Sequence, residues 1–513
     1  MKALPLFMAL ASASISSMML PATASAQNSE AFLNQSYTLS QKLSGSERLF
    51  YLTELTRVSA QINLPAEKAE GWCLELFRLA SATENQQLRI AGQKNALTHL
   101  SYFNPALAMQ LLPEVEIQRP SPGKMLYEDL RADAAEEIFV NFLVKIQPRG
   151  LSTITAQSRY IGQTGQYPYR AMASVIEHLP QSSTGEVSTI LNDALGFYEY
   201  ETEFANRDEE FLVLLQRLNA LKSSAVDKNL MAEALGIFVN RLTNDGIQIP
   251  GKYYSEIHTS NGAIVSFTDR NQAFLFQAFP AIRRFNPVLA TQLSHAHPEL
   301  DQATDSISYI SGGFVMGNPT PEQASRQHIQ WLQESIVARI KERSDCDPQS
   351  AAKLAQRLTD VSARVVGFSS TVPGIARKNL SEARRIYDVQ IAELGNLYDP
   401  PEKLRAMVAL AQAAYQVGDL QHYETLSATA HDIGVELFNS DFKNQPTLRV
   451  QRHGGFDELH KLVTFTASQP ADNLKARIQR LPGDWLKAYL LLYEAEGHAK
   501  STATPDVPAK CPD

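Results

Sequence analysis

Residues 103–111 read FNPALAMQL and residues 285–293 read FNPVLATQL, so the chain writes one phrase, Phe-Asn-Pro-x-Leu-Ala-x-Gln-Leu, twice. Asn104 and Asn286 are good N-cap residues, and Pro105 and Pro287 follow at the first helical position, where a missing N–H costs nothing. The preceding Phe103 and Phe285 are placed to fold back over the first turn, towards Ala108 and Ala290. Leu107 and Leu111, like Leu289 and Leu293, stand four apart on one helix face. Each phrase also follows a helical pattern, ALTHLSY in one case and FLFQAFPAIRR in the other. The unit is helix, tight turn, capped helix, and its reuse predicts a chain of stacked helix pairs.

The rest of the chain agrees with that reading. In PAEKAEGWCLELFRLAS, Trp72, Leu76 and Leu79 keep a three-to-four rhythm, with charged residues between them. PPEKLRAMVALAQAAY, from Pro400, opens in the same way, with Glu402 in a first turn that favours a carboxylate. Further helices are predicted over 125–145, 207–221, 226–241, 321–341 and 351–366. The exception is KYYSEIHTSNGAIVSFTD, where Asn261-Gly262 between β-favouring residues predicts a hairpin with a two-residue turn. A Gly-rich stretch, ISGGFVMGNPTP, reads as a break at 310–321. The expected fold is therefore all-α, an α-solenoid or stacked helix-pair repeat, with one β-hairpin insertion near 252–268.

One stretch carries a family resemblance. MVALAQAAYQVGDLQHYETLSATA, from Met407 to Ala430, resembles a tetratricopeptide repeat. Leu410 and Ala411 match the close-packed first helix, Tyr415 with Gly418-Asp419 the turn, and Ala430 the second helix. Bulky Tyr423 stands where the family prefers a small residue, and no proline closes the unit. The resemblance covers about one repeat and implies a helix-pair fold with a protein-binding surface. Tyr415 and Tyr423 are the residues it offers for that surface.

Composition limits the function classes. Lys2, an apolar run to Leu20 and the small triplet Ala24-Ser25-Ala26 predict a cleaved export signal over 1–26 and a periplasmic or extracellular protein. No later apolar run is long enough to span a membrane. A net charge of −8, with acids and bases interspersed, argues against nucleic acid as a partner, and the pairs Arg283-Arg284 and Arg384-Arg385 read as solvated helix faces. Of the three cysteines, Cys73 lies in an apolar helix, which leaves Cys346 and Cys511 as the pair for a disulfide. The expected organisation is a helical region over 27–243, a middle region over 244–320, a helical-repeat region over 321–496 and a disordered tail over 497–513.

Catalytic motifs for hydrolases, zinc proteases, nucleotide and dinucleotide binding are missing from the sequence, and no cofactor is expected. His453, Asp457 and His460 in QRHGGFDELHKL are the best metal-ligand candidates, since two imidazoles and a carboxylate suit a divalent ion. The plainer reading makes Asp457 a helix-start residue, Glu458 a first-turn acid and His460 a surface residue. His295 and His297 form a second set, at a helix end where the dipole favours histidine. FYEYETEF alternates aromatics with Glu199, Glu201 and Glu203; Tyr198 and Tyr200 offer binding faces, and paired carboxylates suit glycoside hydrolysis. Its plainer reading is an acidic helix exit with aromatics packed inward. Tyr167, Tyr169, Tyr253 and Tyr254 are candidates for lining a groove. The expected function is a protein-binding or scaffolding module with protein partners, and the alternative is an exported hydrolase with a scattered, metal-assisted site.

Overall fold

The structure is a computed structural model that describes residues 29–500, apart from 44, 63, 118–128, 146–149, 181, 202–203, 205, 245–251, 260–261, 305–306, 316–319, 445–453 and 470–473. The export signal of 1–26 and the tail of 501–513 lie outside the described residues. In chain order the first helices are α1 (29–40), α2 (Gly45–Gln61), α3 (Ala66–Ser81), α4 (Gln86–Ser101), α5 (Pro105–Leu111), α6 (Leu130–Lys145) and α7 (Gly150–Thr164). Next come α8 (Tyr169–Glu177), α9 (Thr184–Tyr200), α10 (Arg207–Ala220), α11 (Lys228–Asn244), α12 (Arg270–Phe285), α13 (Pro287–Ala296) and α14 (Pro321–Ser344). The series continues with α15 (Pro348–Ala355), α16 (Val361–Ala376), α17 (Leu380–Glu393) and α18 (Pro400–Val417). It ends with α19 (Leu420–Asn444), α20 (Gly454–Ala467), α21 (Lys475–Gln479) and α22 (Asp484–Lys500). Three strands interrupt it: β1 (Lys252–Thr259), β2 (Ile264–Phe267) and β3 (Ile307–Val315).

The repeated phrase folds as its chemistry requires. Asn104 accepts a hydrogen bond from Leu107 N–H at 3.1 Å, and Asn286 accepts one from Leu289 N–H at 3.2 Å. Their backbones are nearly superposable, at φ −137°, ψ 78° and φ −138°, ψ 71°. The same cap recurs at Asp347, at φ −135°, ψ 72°, ahead of Pro348. A proline excludes the α region for the residue before it, so the chain must turn there before the next helix starts. Ala108 and Ala290 are both buried, which lets a neighbouring helix come close.

Two compact units result. One runs from Cys73 to Ser335; the other takes the residues up to Trp72 and those from Ile336 onward. In the first, α4, α6, α8, α10 and α12 pack in succession as one layer. Helices α7, α9 and α11 form a second layer beside it. In the other unit α16, α18, α20 and α22 pack in succession, and α2 packs on α22. Contact between alternate helices is the pattern of a helical-repeat fold, in which each pair buries its apolar face on the next. The tetratricopeptide-like stretch is one such pair. Gly418 ends α18 at φ 80°, Asp419 N–H reaches back to the Ala414 carbonyl at 2.9 Å, and Asp419 then caps α19 through His422 N–H.

Three expectations need correction. The hairpin turn has three residues, because Thr259 N–H bonds to the Ala263 carbonyl at 3.0 Å around 260–262, and Gly262 takes φ 89°. The glycine-rich break over 310–321 instead contains most of a third strand, and the sheet has the antiparallel order β2-β1-β3. Gly312, at φ 137°, lies opposite Ser255, where a Cβ would stand 2.5 Å from Ser255 Cα and overlap the Tyr254 carbonyl. The helix expected over 351–366 is two helices, α15 and α16, with Asp360 capping the second through Ala363 N–H at 2.6 Å. No described helix is long and apolar enough to cross a membrane.

Candidate functional site

The sheet faces two ways. Ile257, Val265 and Phe267 are buried, with Phe267 packed on Phe276 of α12 at a ring separation of 5.3 Å. On the opposite face Glu256 bonds His328 of α14 at 3.1 Å, and Trp331 lies 3.5 Å from where a Cβ would sit on Gly313. Between the sheet and the helical layer a cavity of about 450 Å³ remains open, and a wider groove of about 940 Å³ adjoins it. Gln216 and Gln277 line both.

Helical geometry explains the lining. On α10, Glu209, Leu212, Gln216 and Asn219 recur at intervals of three and four, so they form one stripe. On α12, Arg270, Phe274, Gln277, Ala281 and Arg284 do the same. Because α10 packs on α12, the two stripes run side by side as the floor. Tyr253 and Ser255 of β1, with Gly312 and Gly313 of β3, make the wall.

The cations of the groove rest largely on aromatic rings. Arg270 lies 4.7 Å from the Phe274 ring centre, Arg283 is 5.0 Å from Phe279, and Arg284 is 4.9 Å from Phe285. A ring face attracts a guanidinium without neutralising it. Arg284 also donates to the Asn219 and Leu221 carbonyls at the end of α10, where the helix dipole favours a cation. Burial pushes the Arg270 pKa below its ordinary value, and the carboxylates of Asp208 and of Glu209, the latter 4.0 Å away, only partly oppose this. Arg170 is forked on Glu210 at 3.0 Å.

Behind this groove lies a closed polar core that gives FYEYETEF its role. Tyr198 is fully buried, stacked on Phe211 at 4.0 Å, and its hydroxyl donates to Asp208 at 2.9 Å. Arg207, itself buried, donates to Asp208 at 2.7 Å and to the Glu201 carbonyl at 2.7 Å. Arg241 donates to the Glu201 carbonyl at 2.9 Å and to that of Tyr198. These guanidinium groups satisfy the orphan carbonyls at the end of α9. The Glu201 carboxylate accepts from Tyr167 N–H at 2.7 Å and Tyr169 O–H at 2.8 Å. Burial raises its pKa to about 7, against the lowering pull of those donors and of Arg207 and Arg241. Glu199 and Tyr200 are exposed on the last turn of α9, whereas Tyr167 and Tyr169 are buried. The glutamates of this stretch therefore diverge, and Glu203 lies outside the described residues.

The remaining candidates fall elsewhere. Tyr423 is fully buried and meets Tyr415 at 5.2 Å, and both pack on Phe465. This places Tyr423 within the helix contact rather than on a surface. Asp457 is exposed in the first turn of α20, and His453 lies outside the described residues. His460 is engaged by Glu496 at 2.7 Å and lies on the Tyr493 ring at 4.2 Å. Among the described residues no group of three or more His, Cys, Asp or Glu side chains is placed to hold a metal ion. His295 is exposed, and His297 ends α13 with Glu299 at 3.4 Å. Cys73 is a buried thiol and Cys346 is half-buried beyond α14; Cys511 lies outside the described residues.

Of the sequence candidates among the described residues, Tyr253 lines the groove, and Arg283 and Arg284 line it too while remaining exposed, as expected of a solvated helix face. Arg270, Gln216 and Gln277 were missed. Their signal was a polar stripe at helical spacing on two helices, which acquires meaning only once those helices are neighbours. In comparisons with known protein families, curated proteins and solved structures, nothing matches this chain.

Proposed function

We propose that this protein is an exported helical-repeat module that binds another protein, and that the groove over α10 and α12 is its contact surface. The observation that carries the reading is the groove itself: two helical stripes of Gln, Asn and Arg with apolar Leu212, Phe274 and Ala281 between them, walled by an inserted sheet. A mixed polar and apolar groove on a packed framework suits recognition of a polypeptide, since hydrogen-bonding groups fix register and apolar surface supplies affinity. Export rests on residues 1–26, and a Cys346–Cys511 bridge is part of the same proposal, because an oxidising compartment permits it.

The test is chemical crosslinking of the purified protein in an extract of the exported compartment, read by mass spectrometry. A protein enriched reproducibly, with crosslinks mapping to the groove and lost in Gln277→Trp, is the expected result. Gln277 is half-buried at the junction of the two cavities, so an indole there fills the floor. Enrichment of nothing, or of a partner indifferent to Gln277→Trp, sinks the reading.

A further inference from the structure

We infer that an extended segment of another protein adds to the inserted sheet as a fourth strand, pairing main chain to main chain with the outer edge of β3. This rests on the binding role proposed above and names how the partner is held. The sheet has two outer edges and treats them differently. β2 is four residues long and runs into the Asp269 cap of α12, so little of its edge is offered. β3 is nine residues long and reads ISYISGGFV, with no charged residue and no proline. A long edge is ordinarily guarded by a charge, a proline or a bulge, because its unpaired N–H and C=O groups template another strand. The register shift in β3 falls near its start, opposite His258 and Thr259, and 310–315 pair with β1 in unbroken register.

The register also fixes which groups face outward. Thr259 N–H bonds to the Ala263 carbonyl at the hairpin, so by the alternation of an antiparallel ladder Ser255 and Ile257 also point their main-chain groups at β2. Tyr254, Glu256 and His258 therefore turn theirs to β3, where they stand opposite Gly313, Ser311 and Tyr309. That leaves Ile310 and Gly312 with N–H and C=O directed away from the sheet. The Ile310 carbonyl agrees, since it accepts from the hydroxyl of Ser335 on α14 at 3.4 Å. That hydroxyl lies closer to the Trp331 carbonyl, at 2.9 Å, so an incoming strand can displace it from Ile310. Among the described residues no strand pairs with this edge.

Open volume lies where the added strand would run. Ile310 and Gly312 line the 450 Å³ cavity, and Ile307 lines the wider groove. The stretch from Ile307 to Gly313 is about 20 Å long at about 3.3 Å per residue, so a partner segment of about seven residues matches it. Gln216 and Gln277 border both volumes from the floor. A primary amide both donates and accepts, which suits Ser, Thr, Asn or Gln at alternate positions of the added strand. Main-chain pairing supplies the affinity in such an arrangement, and alternate side chains supply the selectivity.

The experiment passes a pooled library of acetylated, amidated seven-residue peptides over the whole purified protein, and the most retained peptide is resynthesised with a fluorescein label. Two further versions carry N-methyl groups on its even or on its odd amides. A strand offers only alternate N–H groups to its neighbour, so one version is expected to lose binding at least tenfold and the other to keep it. Ile310→Pro is expected to lose binding as well. Its N–H lies outside the β1 ladder, so the thermal unfolding and helical circular dichroism of the parent are expected to survive. Ile310 is 43% exposed, and Ile310→Lys places a guarding charge on the same edge, which is expected to weaken binding with the backbone intact. Retention of no peptide, equal binding of the two methylated versions, or indifference to either Ile310 variant each overturns the inference. So does dimerisation that Ile310→Pro abolishes, which would assign the edge to a second copy of this chain. If crosslinking yields a partner that Gln277→Trp abolishes but both Ile310 variants retain, the binding role stands and only strand addition falls. If the peptide adds to β3 as expected but crosslinking yields nothing, strand addition stands and the protein-partner reading falls.

Discussion

Two regions of this molecule gather the same ingredients and use them in opposite ways. Around α20 and α22, His460, Arg57 and Lys500 close on Glu496 at 2.7, 3.6 and 2.6 Å, with Tyr493 packed on the imidazole. Burial would raise the Glu496 pKa, but the His460 hydrogen bond and charge, joined by Arg57 and Lys500, bring it down to about 2. That carboxylate is spent on its own neighbours. Along α10 and α12 the charges are held more loosely: Glu209 stands 4.0 Å from Arg270, Glu210 is forked on Arg170 at 3.0 Å, and the exposed Arg283 rests on the Phe279 ring at the border of open volume. The lesson is that charge density alone does not mark a site. What matters is whether the countercharge is already in place.

The comparison breaks first where the closed network is opened. Glu496→Ala leaves three cationic or protonatable groups around an emptied, nearly buried position and is expected to cost about 4 kcal/mol, measured by denaturant unfolding. The pH profile carries the same information. A carboxylate depressed to about 2 contributes stability that is complete above pH 4.5 and is lost as pH falls towards 2. Glu496→Gln is expected to flatten that acid limb.

Next in size is the wall of the groove. Gly312→Ala forces a Cβ into the Tyr254 carbonyl and places an L residue at φ 137°, with an expected cost of about 3 kcal/mol. Loss of hydrogen-exchange protection confined to β1 and β3 is the signature; uniform loss across the Cys73–Ser335 unit would show that the sheet supports the helical layer as well.

Glu201 supplies the opposite sign from Glu496. Its pKa is raised to about 7, so the folded protein holds a proton that the unfolded chain releases from pH 4.5 upward, and stability declines between those values as pH rises. Glu201→Gln is expected to stabilise the protein by about 1–2 kcal/mol at pH 8 and by nothing at pH 4. The Tyr169 hydroxyl can turn to accept the new amide, which leaves the carbonyl for Tyr167 N–H. A loss of stability at pH 8 would mean that the ionised form is what holds the Tyr167–Tyr169 segment. The smallest expected effect is on folding by Arg283→Glu, within about 0.5 kcal/mol, because the side chain is exposed.

Much of the framework was legible because its chemistry is local. A residue that must leave the α region before proline, a side chain that accepts from the third helical N–H, and apolar residues every three or four positions act within one turn of chain. The failures are equally specific. Asp360 starts α16 without interrupting the apolar rhythm of 351–366, so one helix was expected where two form. Gly312 and Gly313 looked like a break because glycine usually weakens strands, yet at Gly312 close backbone approach demands it. The groove was the least legible part. Glu209 and Arg270 sit on helices separated in sequence by α11 and the two strands β1 and β2, and nothing in either helix announces the other.

The sheet enters between α11 and α12 and again between α13 and α14, yet α10 and α12 remain neighbours. Inter-helix connections in this framework therefore accept foreign cargo without disturbing the register of the helices. That makes the wall replaceable while the floor is kept. Exchanging 252–267 for other hairpins, with α10 and α12 untouched, would vary what the floor is paired with, which is how such a scaffold could be retargeted by loop grafting alone.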